Sequence, residues 1–519
     1  MGKSRIKNTI LNSIVGIVNY ILIIIASFVV RKIFAVRLGE EYLGLSSLFT
    51  SIITFLSLTE LGIGSAMVFF LYRPIHEEDH QTTQKYLAFY KKAYLLIAGI
   101  ILILGLATAF VIPLFAKTSI ERNKVIIYFV LYVVNSAVSY LFAYKKSVLY
   151  ADQNSKVVII VHGTTKILSN FVQIILLLCT QSFLLYIISM IIFTAIDNIV
   201  CTIYVNKHYP FAKQKCNEKF TKEERKCFFG KVIPVFLQNL CSTIVVSSDS
   251  IITSALFSVA LVGLYSNYTL ITQTLKTLYS QVFSAFTNSF GNLAISEDKA
   301  KCLQVYERTV FMAFFINCFC CSCFITLIQP FISLFFGNSF VLSFEVAVVI
   351  CCNYYFVSMN VPAVSVQNAT GLHNKDVWVM IIQAVLNIVL SILLGKWIGL
   401  IGVVLATVIS TIVCPLISKE YVIYKHLFQA PVGWQYLRQL GYFIFTVILC
   451  CACYTLFNIL ITKITVWIFL LQIIGTILFS LGVMILVFCK TANFKYYIGV
   501  LKNLLKHKSE NEVKGDDSL

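Results

Sequence analysis

The chain has 519 residues, of which 59% are hydrophobic and only 12% are charged, and its mean hydropathy is +0.85. Ordinary globular chains carry about 25% charged residues, so a water-soluble protein is excluded, and the high apolar content excludes a disordered chain. The net charge of +18 is spread along the chain instead of forming one patch, which argues against a nucleic-acid-binding protein. The composition is typical of a protein that crosses a membrane many times.

Apolar runs of the length needed to cross a bilayer, about 20 residues, follow one another along the chain. The runs are continuous and do not alternate with polar residues, which favours helices over a β-barrel. The first run lacks a small-x-small cleavage site, so we expect a retained helix and not a signal peptide. These runs predict an all-α polytopic membrane protein of about fourteen transmembrane helices. They lie at residues 10–30, 43–71, 93–116, 125–145, 157–179, 182–205, 231–257, 259–291, 309–336, 343–370, 376–396, 398–418, 440–462 and 464–488.

The basic residues of the loops predict the orientation of these helices. If the N-terminus lies in the cytoplasm, roughly three quarters of the Lys and Arg residues fall in inner segments, as the positive-inside rule requires. An even number of spans then returns the C-terminus to the same side. We therefore expect both termini to be cytoplasmic.

An internal repeat relates the two halves of the chain. The segments YLGLSSLFTSI (42–52) and LVGLYSNYTLI (261–271) match at several positions, and the same separation relates Lys156 to Lys375. We expect two parallel, pseudo-symmetric six-helix lobes, residues 1–226 and 227–430, followed by two additional helices and a basic tail, residues 431–519. The matched positions are Gly44, Leu45, Ser47, Thr50 and Ile52 with Gly263, Leu264, Ser266, Thr269 and Ile271.

Five charged residues are predicted to lie inside the spans, where each costs roughly 2.5–3.5 kcal/mol. Such residues are expected to face one another or a hydrated cavity. Two further basic residues stand at the outer end of the first span. The span residues are Glu60, Lys166, Asp197, Asp249 and Lys276, and the span-end residues are Arg31 and Lys32.

Four segments resemble the Wzx-type oligosaccharide flippases of the multidrug/oligosaccharidyl-lipid/polysaccharide exporter superfamily. They are TELGIGSAMVFFLY (59–72) with the RPIHEED that follows it, Asp249 with VGLYS (262–266), QNATGLHNK (367–375) and GLIGVVLATVIS (399–410). The resemblance covers essentially the whole chain. It implies a MATE-like fold in a bacterial cytoplasmic membrane. It also implies outward translocation of an undecaprenyl-diphosphate-linked oligosaccharide for cell-surface polysaccharide synthesis, together with other proteins of that synthesis.

In this interpretation the charged residues have two roles. Lys276, Lys166, Arg31 and Lys32 would bind the diphosphate. The acids Asp249, Glu60 and Asp197 would pair with these cations in the empty state, or carry a coupling H⁺ or Na⁺. The alternative is that all of them form static ion pairs between helices, with Arg31 and Lys32 serving as interfacial anchors.

Other functions are less compatible with the sequence. An antiporter of organic cations from the same superfamily would have a predominantly acidic cavity, whereas the span charges here are of both signs. A membrane enzyme needs a sizeable outer loop, and the predicted outer loops are short, so we expect no enzyme activity. A scaffold would not need buried charges of both signs. Without a phosphate-binding glycine-rich loop we expect no ATP, and the span cysteines lack neighbouring His or acids, so we expect neither a metal site nor another cofactor.

Overall fold

The computed structural model describes residues 2–57, 63–214, 221–459, 465–500 and 502. Almost every one of these residues is helical, and none lies in a β-strand, which confirms the all-α prediction. The helices are α1 (Gly2–Leu38), α2 (Glu40–Leu56), α3 (Ile63–His76), α4 (His80–Phe115), α5 (Arg122–Leu141), α6 (Ala143–Ala151), α7 (Ser155–Thr180), α8 (Phe183–His208), α9 (Lys222–Leu256), α10 (Val259–Ser296), α11 (Lys299–Phe335), α12 (Phe344–Met359), α13 (Val361–Thr370), α14 (Val377–Ile398), α15 (Leu400–Thr411), α16 (Ile417–Ile423), α17 (Gly433–Tyr454) and α18 (Val466–Phe488).

Ten helical stretches of the described chain are long and apolar enough to cross a membrane. The other four predicted spans coincide with α1, with α2 and α3 together, with α9 and with α10, all of which are helical. The chain is thus a multi-pass membrane protein, while the total of fourteen spans and the cytoplasmic termini stay predictions.

Local side-chain chemistry fixes several helix starts. The carboxylate of Asp79 accepts a hydrogen bond from the Thr82 N–H at 2.9 Å and caps α4. Thr221 and Glu224 form a reciprocal capping box at the start of α9. These bonds satisfy backbone N–H groups that have no partner within the helix. Since α9 begins at Lys222, the lobe boundary predicted at residue 226 falls inside its first turns.

One predicted loop is wrong. The predicted spans 398–418 and 440–462 leave the residues between them as a connecting loop, yet the helical path of α15 continues to Phe428 through α16 and two π-helical turns, Ile412–Leu416 and Tyr424–Phe428. Pro415 lies in the first of these turns, where a wider backbone accommodates a residue without an N–H. Lys419 and Glu420 are therefore helical residues, and both are buried.

The described chain divides into two compact units. Unit 1 comprises Met1–Asn267 and Val377–Ser410, and unit 2 comprises Tyr268–Asp376 and Thr411–Leu519. In unit 1, α1 packs against α7, and α9 packs against α14. In unit 2, α11 packs against α12, α17 and α18, and its buried cysteines Cys318 and Cys321 contribute to that packing as small apolar side chains. The repeat-based lobes divide the chain differently and stay a prediction.

Two glycines of the predicted repeat meet inside unit 1, where α2 crosses the start of α10. A Cβ on Gly44 would lie 1.8 Å from the Val259 carbonyl oxygen, and a Cβ on Gly263 would lie 2.3 Å from the Glu40 carbonyl oxygen. The contact is reciprocal, because Glu40 and Val259 have the same separation in sequence as Gly44 and Gly263. Neither position has room for any side chain, so the two backbones approach directly.

Candidate functional site

Asp249 lies on α9 in the core of unit 1, with 5% of its surface exposed. Its carboxylate accepts a hydrogen bond from Thr407 Oγ1, at 3.0 Å to Oδ1 and 3.2 Å to Oδ2, and a longer one from the Tyr265 hydroxyl at 3.4 Å. Within the described chain, no basic side chain lies within ion-pair distance of Asp249. It is a buried acid held by neutral donors only.

A chain of hydrogen bonds extends from Asp249 to the neighbouring helix α14. Asn387 donates to Thr407 Oγ1 at 2.9 Å and accepts from Ser248 Oγ at 2.9 Å. Asn387 is completely buried and Thr407 is 4% exposed. Three helices, α9, α14 and α15, thus fix the carboxylate in one position.

Asp197 has a different environment within the same unit. The Lys146 ammonium on α6 donates to Asp197 Oδ2 at 2.6 Å, and His162 Nδ1 lies 3.8 Å from the same oxygen. Thr165 Oγ1 lies 3.5 Å from Oδ1. The side chains of Lys146 and Asp197 are 19% and 12% exposed, so the ion pair is largely shielded from water. The cation that neutralises Asp197 is therefore Lys146, and not Lys166 or Lys276.

Arg31 is positioned by α10. Its Nε donates to Asn267 Oδ1 at 2.8 Å and its Nη2 donates to Ser266 Oγ at 2.5 Å. Phe34, one turn along α1, stacks edge-on against Tyr186 with ring centroids 5.0 Å apart and holds this part of α1 against α8. No carboxylate of the described residues lies within ion-pair distance of Arg31, while Lys32 is exposed.

Lys166 and Lys276 are half-buried, on α7 in unit 1 and on α10 in unit 2. Asn170, one turn after Lys166, donates to Ser27 Oγ of α1 at 3.3 Å, so Lys166 projects from the side of α7 that faces α1. Across the described residues, neither lysine ammonium has a hydrogen-bond or ion-pair partner. Glu60, the remaining predicted acid, lies outside the described residues.

Unit 2 contains buried charges that the sequence interpretation missed. Lys419 Nζ lies 3.0 Å from Asp376 Oδ2, and Gln367 bonds to both partners at 3.1 and 3.2 Å. The two ionic side chains are only 3% and 1% exposed. Glu420, the next residue of α16, accepts hydrogen bonds from Tyr306 and Gln439, each at 2.7 Å.

Only one signal in the sequence pointed toward these residues. Lys419 and Glu420 adjoin the apolar run 398–418, and polar residues at the end of a run are normally assigned to a loop. The helix continues through both residues, but two adjacent charged residues interrupt the apolar run from which a helix is predicted. Lys146 likewise comes directly after a predicted span, 125–145, and a charged residue in that position is normally assigned to a loop.

No protein-family model and no curated protein matches the chain. Several solved structures are similar to it in fold. A lipid II flippase, MurJ, in an inward closed conformation has a TM-score of 0.68 at 17% identity, covering 92% of this chain and 99% of its own. An inward-facing multidrug resistance MATE family transporter of the MOP superfamily has a TM-score of 0.64 at 14% identity, covering 78% of this chain and 94% of its own.

A third similar structure is a MOP superfamily transporter from Pyrococcus furiosus, described as having a binding pocket of reverse polarity. It has a TM-score of 0.54 at 14% identity and covers 79% of this chain and 96% of its own. An outward-facing MATE transporter is also similar, with a TM-score of 0.55. The neighbours are transporters and a flippase, and include inward- and outward-facing forms. The chain therefore has the fold of the MATE and MurJ transporters of the MOP superfamily.

Proposed function

We propose that this protein is a flippase for an undecaprenyl-diphosphate-linked oligosaccharide, moving it from the inner to the outer leaflet of a bacterial cytoplasmic membrane for cell-surface polysaccharide synthesis. A diphosphate cannot cross about 30 Å of hydrocarbon without a polar path. The protein would supply that path by alternating access, while the polyprenyl chain stays in the lipid. No bond of the substrate changes, so the protein is not an enzyme.

The proposal depends above all on cations that lack a carboxylate partner in the described structure. Among the residues that the structure describes, Arg31 hydrogen-bonds to an amide and a hydroxyl, and the ammonium groups of Lys166 and Lys276 have no hydrogen-bond or ion-pair partner. A cation in a membrane-embedded segment without a counter-charge is costly unless an anion reaches it during function. A diphosphate would be such an anion, with Lys32 contributing at the end of α1.

The similar structures differ in how much of this chain they cover. The lipid II flippase matches 92% of this chain, whereas the MATE transporter matches 78%. At identities of 17% and 14% the likeness carries the fold alone. The choice of substrate therefore depends on the cations and on the sequence segments that resemble oligosaccharide flippases.

Asp249 is the best-supported site for a coupling cation. A bare carboxylate buried without a positive partner costs several kcal/mol, so binding of H⁺ or Na⁺ there is favoured. Asp197 already has Lys146 and is less suited to this role. The membrane potential would assist export as well, since moving two negative charges outward gains roughly 4–5 kcal/mol per 100 mV.

The test is flipping of a fluorescent undecaprenyl-diphosphate-linked glycan in proteoliposomes. We expect Lys276→Ala and Lys166→Ala each to slow flipping roughly ten- to a hundredfold, the value of a charge-assisted hydrogen bond. Lys396→Ala is the matched control, since it removes an exposed lysine from α14. Folding of each variant is checked by its melting temperature. Normal flipping by both lysine variants would refute the cationic binding role.

An organic-cation antiporter is the second candidate, favoured by the unneutralised acid Asp249 and by the likeness to a multidrug MATE transporter. The same proteoliposomes distinguish the two. Accumulation of an organic cation driven by a proton or Na⁺ gradient, with no flipping of the glycan lipid, would replace the flippase proposal.

A further inference from the structure

Lys145 is a buried cation at the predicted cytoplasmic end of unit 1. It lies on the short helix α6, beyond the apolar stretch Arg122–Leu141, and only 8% of its surface is exposed. Its ammonium donates a hydrogen bond to the side-chain carbonyl of Asn206 on α8. No carboxylate of the described chain lies within ion-pair distance of it. A lysine this buried normally has an anionic partner.

A short 3₁₀ segment, Pro210–Lys213, follows the end of α8 a few residues after Asn206. Its Phe211 stacks on His80 of α4 with ring centroids 4.7 Å apart, and Gln84 of α4 donates to Gln214 at 2.8 Å. Positions 80, 84 and 91 repeat with helical spacing, so Lys91 projects from the face of α4 that carries this segment. Lys213 is held between the two anchored residues.

Two described acids of these helices and their connections already have partners. Asp152 accepts a hydrogen bond from the Tyr209 hydroxyl just before the 3₁₀ segment, and Asp197 is paired with Lys146. Within the described residues, neither Lys91 nor Lys213 forms an ion pair. Three lysines from α4, α6 and the 3₁₀ segment therefore have no carboxylate partner among the described residues.

The three charges interact unfavourably. Burial lowers the pKa of Lys145, and the charges of Lys91 and Lys213 lower that pKa further. Like charges close together favour a bound anion, which would remove the repulsion and supply the missing hydrogen-bond acceptors. A phosphoryl group fits this description, because lysine ammonium groups bind it as point charges.

We propose that Lys145, Lys91 and Lys213 form an anion site for a phosphoryl group at the predicted cytoplasmic end of unit 1, separate from the transport cations. The group belongs either to the headgroup of an anionic lipid of the inner leaflet or to a free phosphate. Asn206 orients Lys145, and the two exposed lysines complete the site. Occupation would join α4, α6, α8 and the 3₁₀ segment more firmly.

The experiment measures thermal unfolding of the full chain in nanodiscs of two compositions, phosphatidylcholine alone and phosphatidylcholine with phosphatidylglycerol. Phosphatidylcholine nanodiscs are measured with and without inorganic phosphate at constant ionic strength. The variants are Lys145→Met and the double variant Lys91→Met/Lys213→Met. Lys92→Met is the matched control, because it removes an exposed lysine from the same end of α4.

We expect wild type and Lys92→Met to melt about 2–4 °C higher when the anion is present, and the two site variants to lose most of that shift. A shift with phosphatidylglycerol only would identify a lipid headgroup, and a shift with phosphate identifies a free anion site. The double variant decides the question if Lys145→Met fails to fold, since its positions are exposed. Equal shifts in wild type and the double variant, or no shift in either arm, would overturn the proposal.

Discussion

Asp249 and Asp197 are two buried acids of the same unit, and their surroundings differ in one respect. Asp197 has a lysine at 2.6 Å and a histidine at 3.8 Å, whereas the described partners of Asp249 are hydroxyl donors. The two residues are equivalent in sequence terms, since each is a lone aspartate in an apolar run. The structure separates them into an acid paired with a lysine and an acid that has no basic partner among the described residues.

This difference indicates which kind of buried acid can couple transport to an ion gradient in a membrane protein. A paired acid contributes to helix packing, because its Coulomb energy offsets its desolvation. An unpaired acid is stabilised by whatever cation arrives, so its occupancy can follow a gradient. Asp376 in unit 2 belongs to the first kind, with Lys419 at 3.0 Å.

Breaking the most buried pair should have the largest effect. We expect Lys419→Met to lower the free energy of unfolding by about 3–5 kcal/mol, because it leaves Asp376 charged and unpaired. Thermal unfolding in detergent measures this. Lys425→Met, at an exposed position a few residues along the same helical path, should change little, and the double variant Lys419→Met/Asp376→Asn should recover much of the loss. A stable single variant would mean that Asp376 does not depend on Lys419.

Removing the open charge should affect transport instead of stability. We expect Asp249→Asn to fold normally. The acceleration of its transport by an imposed H⁺ or Na⁺ gradient should fall about tenfold or more. The amide keeps the shape and still bonds to Thr407. Transport rates in proteoliposomes with each gradient applied separately identify the ion. An unchanged gradient response would contradict the coupling role.

The pair on Asp197 should show a smaller structural effect. Lys146→Met should destabilise the protein by about 1–3 kcal/mol, the cost of a buried group that has lost its partner. His162, whose side chain is 62% exposed, is too far from Asp197 to replace the lysine fully. Melting curves beside the exposed-site control Lys156→Met test this. If the variant lost the gradient response with unchanged stability, Asp197 would belong with Asp249.

The hydroxyl of Thr407 should matter least. Thr407→Val removes the hydroxyl that forms the shortest hydrogen bond to Asp249. We expect the apparent affinity for the coupling ion to change about fivefold, which corresponds to about 1 kcal/mol. Thr407→Ser keeps the hydroxyl and serves as the matched variant. The measurement is the dependence of transport on ion concentration. Equal affinities in the two variants would show that the hydroxyl does not support the carboxylate.

Much of the fold follows from hydropathy, because a helix in lipid must satisfy its own backbone and therefore needs long apolar runs. The runs that match α4, α7, α8, α14 and α18 are of this kind. The failure at residues 419–428 has a physical cause. Lys419 of α16 and Asp376, which lies in a bend just after the 3₁₀ turn Leu372–Lys375, neutralise each other although they are far apart in sequence, so a local segment does not reveal the compensation.

The candidate site shows the same limit. Asp249 and Asp197 were identified as costly residues from their position in apolar runs, but their partners were not. Lys146 reaches Asp197 from a short helix through its long side chain, and the partners Thr407 and Tyr265 have common hydroxyls with no distinguishing pattern. Which acid is neutralised depends on tertiary packing between residues that are far apart in sequence, so the residues around each acid do not reveal it.

The reciprocal contact of Gly44 and Gly263 is what a symmetric dimer of half-length chains would place on its axis. A residue on such an axis meets its own copy, and at this backbone separation only glycine fits. In an ancestor of that kind one codon would have governed both sides of the crossing. In the present chain each glycine is encoded separately, so a single methyl group on either one is enough to force the two helices apart.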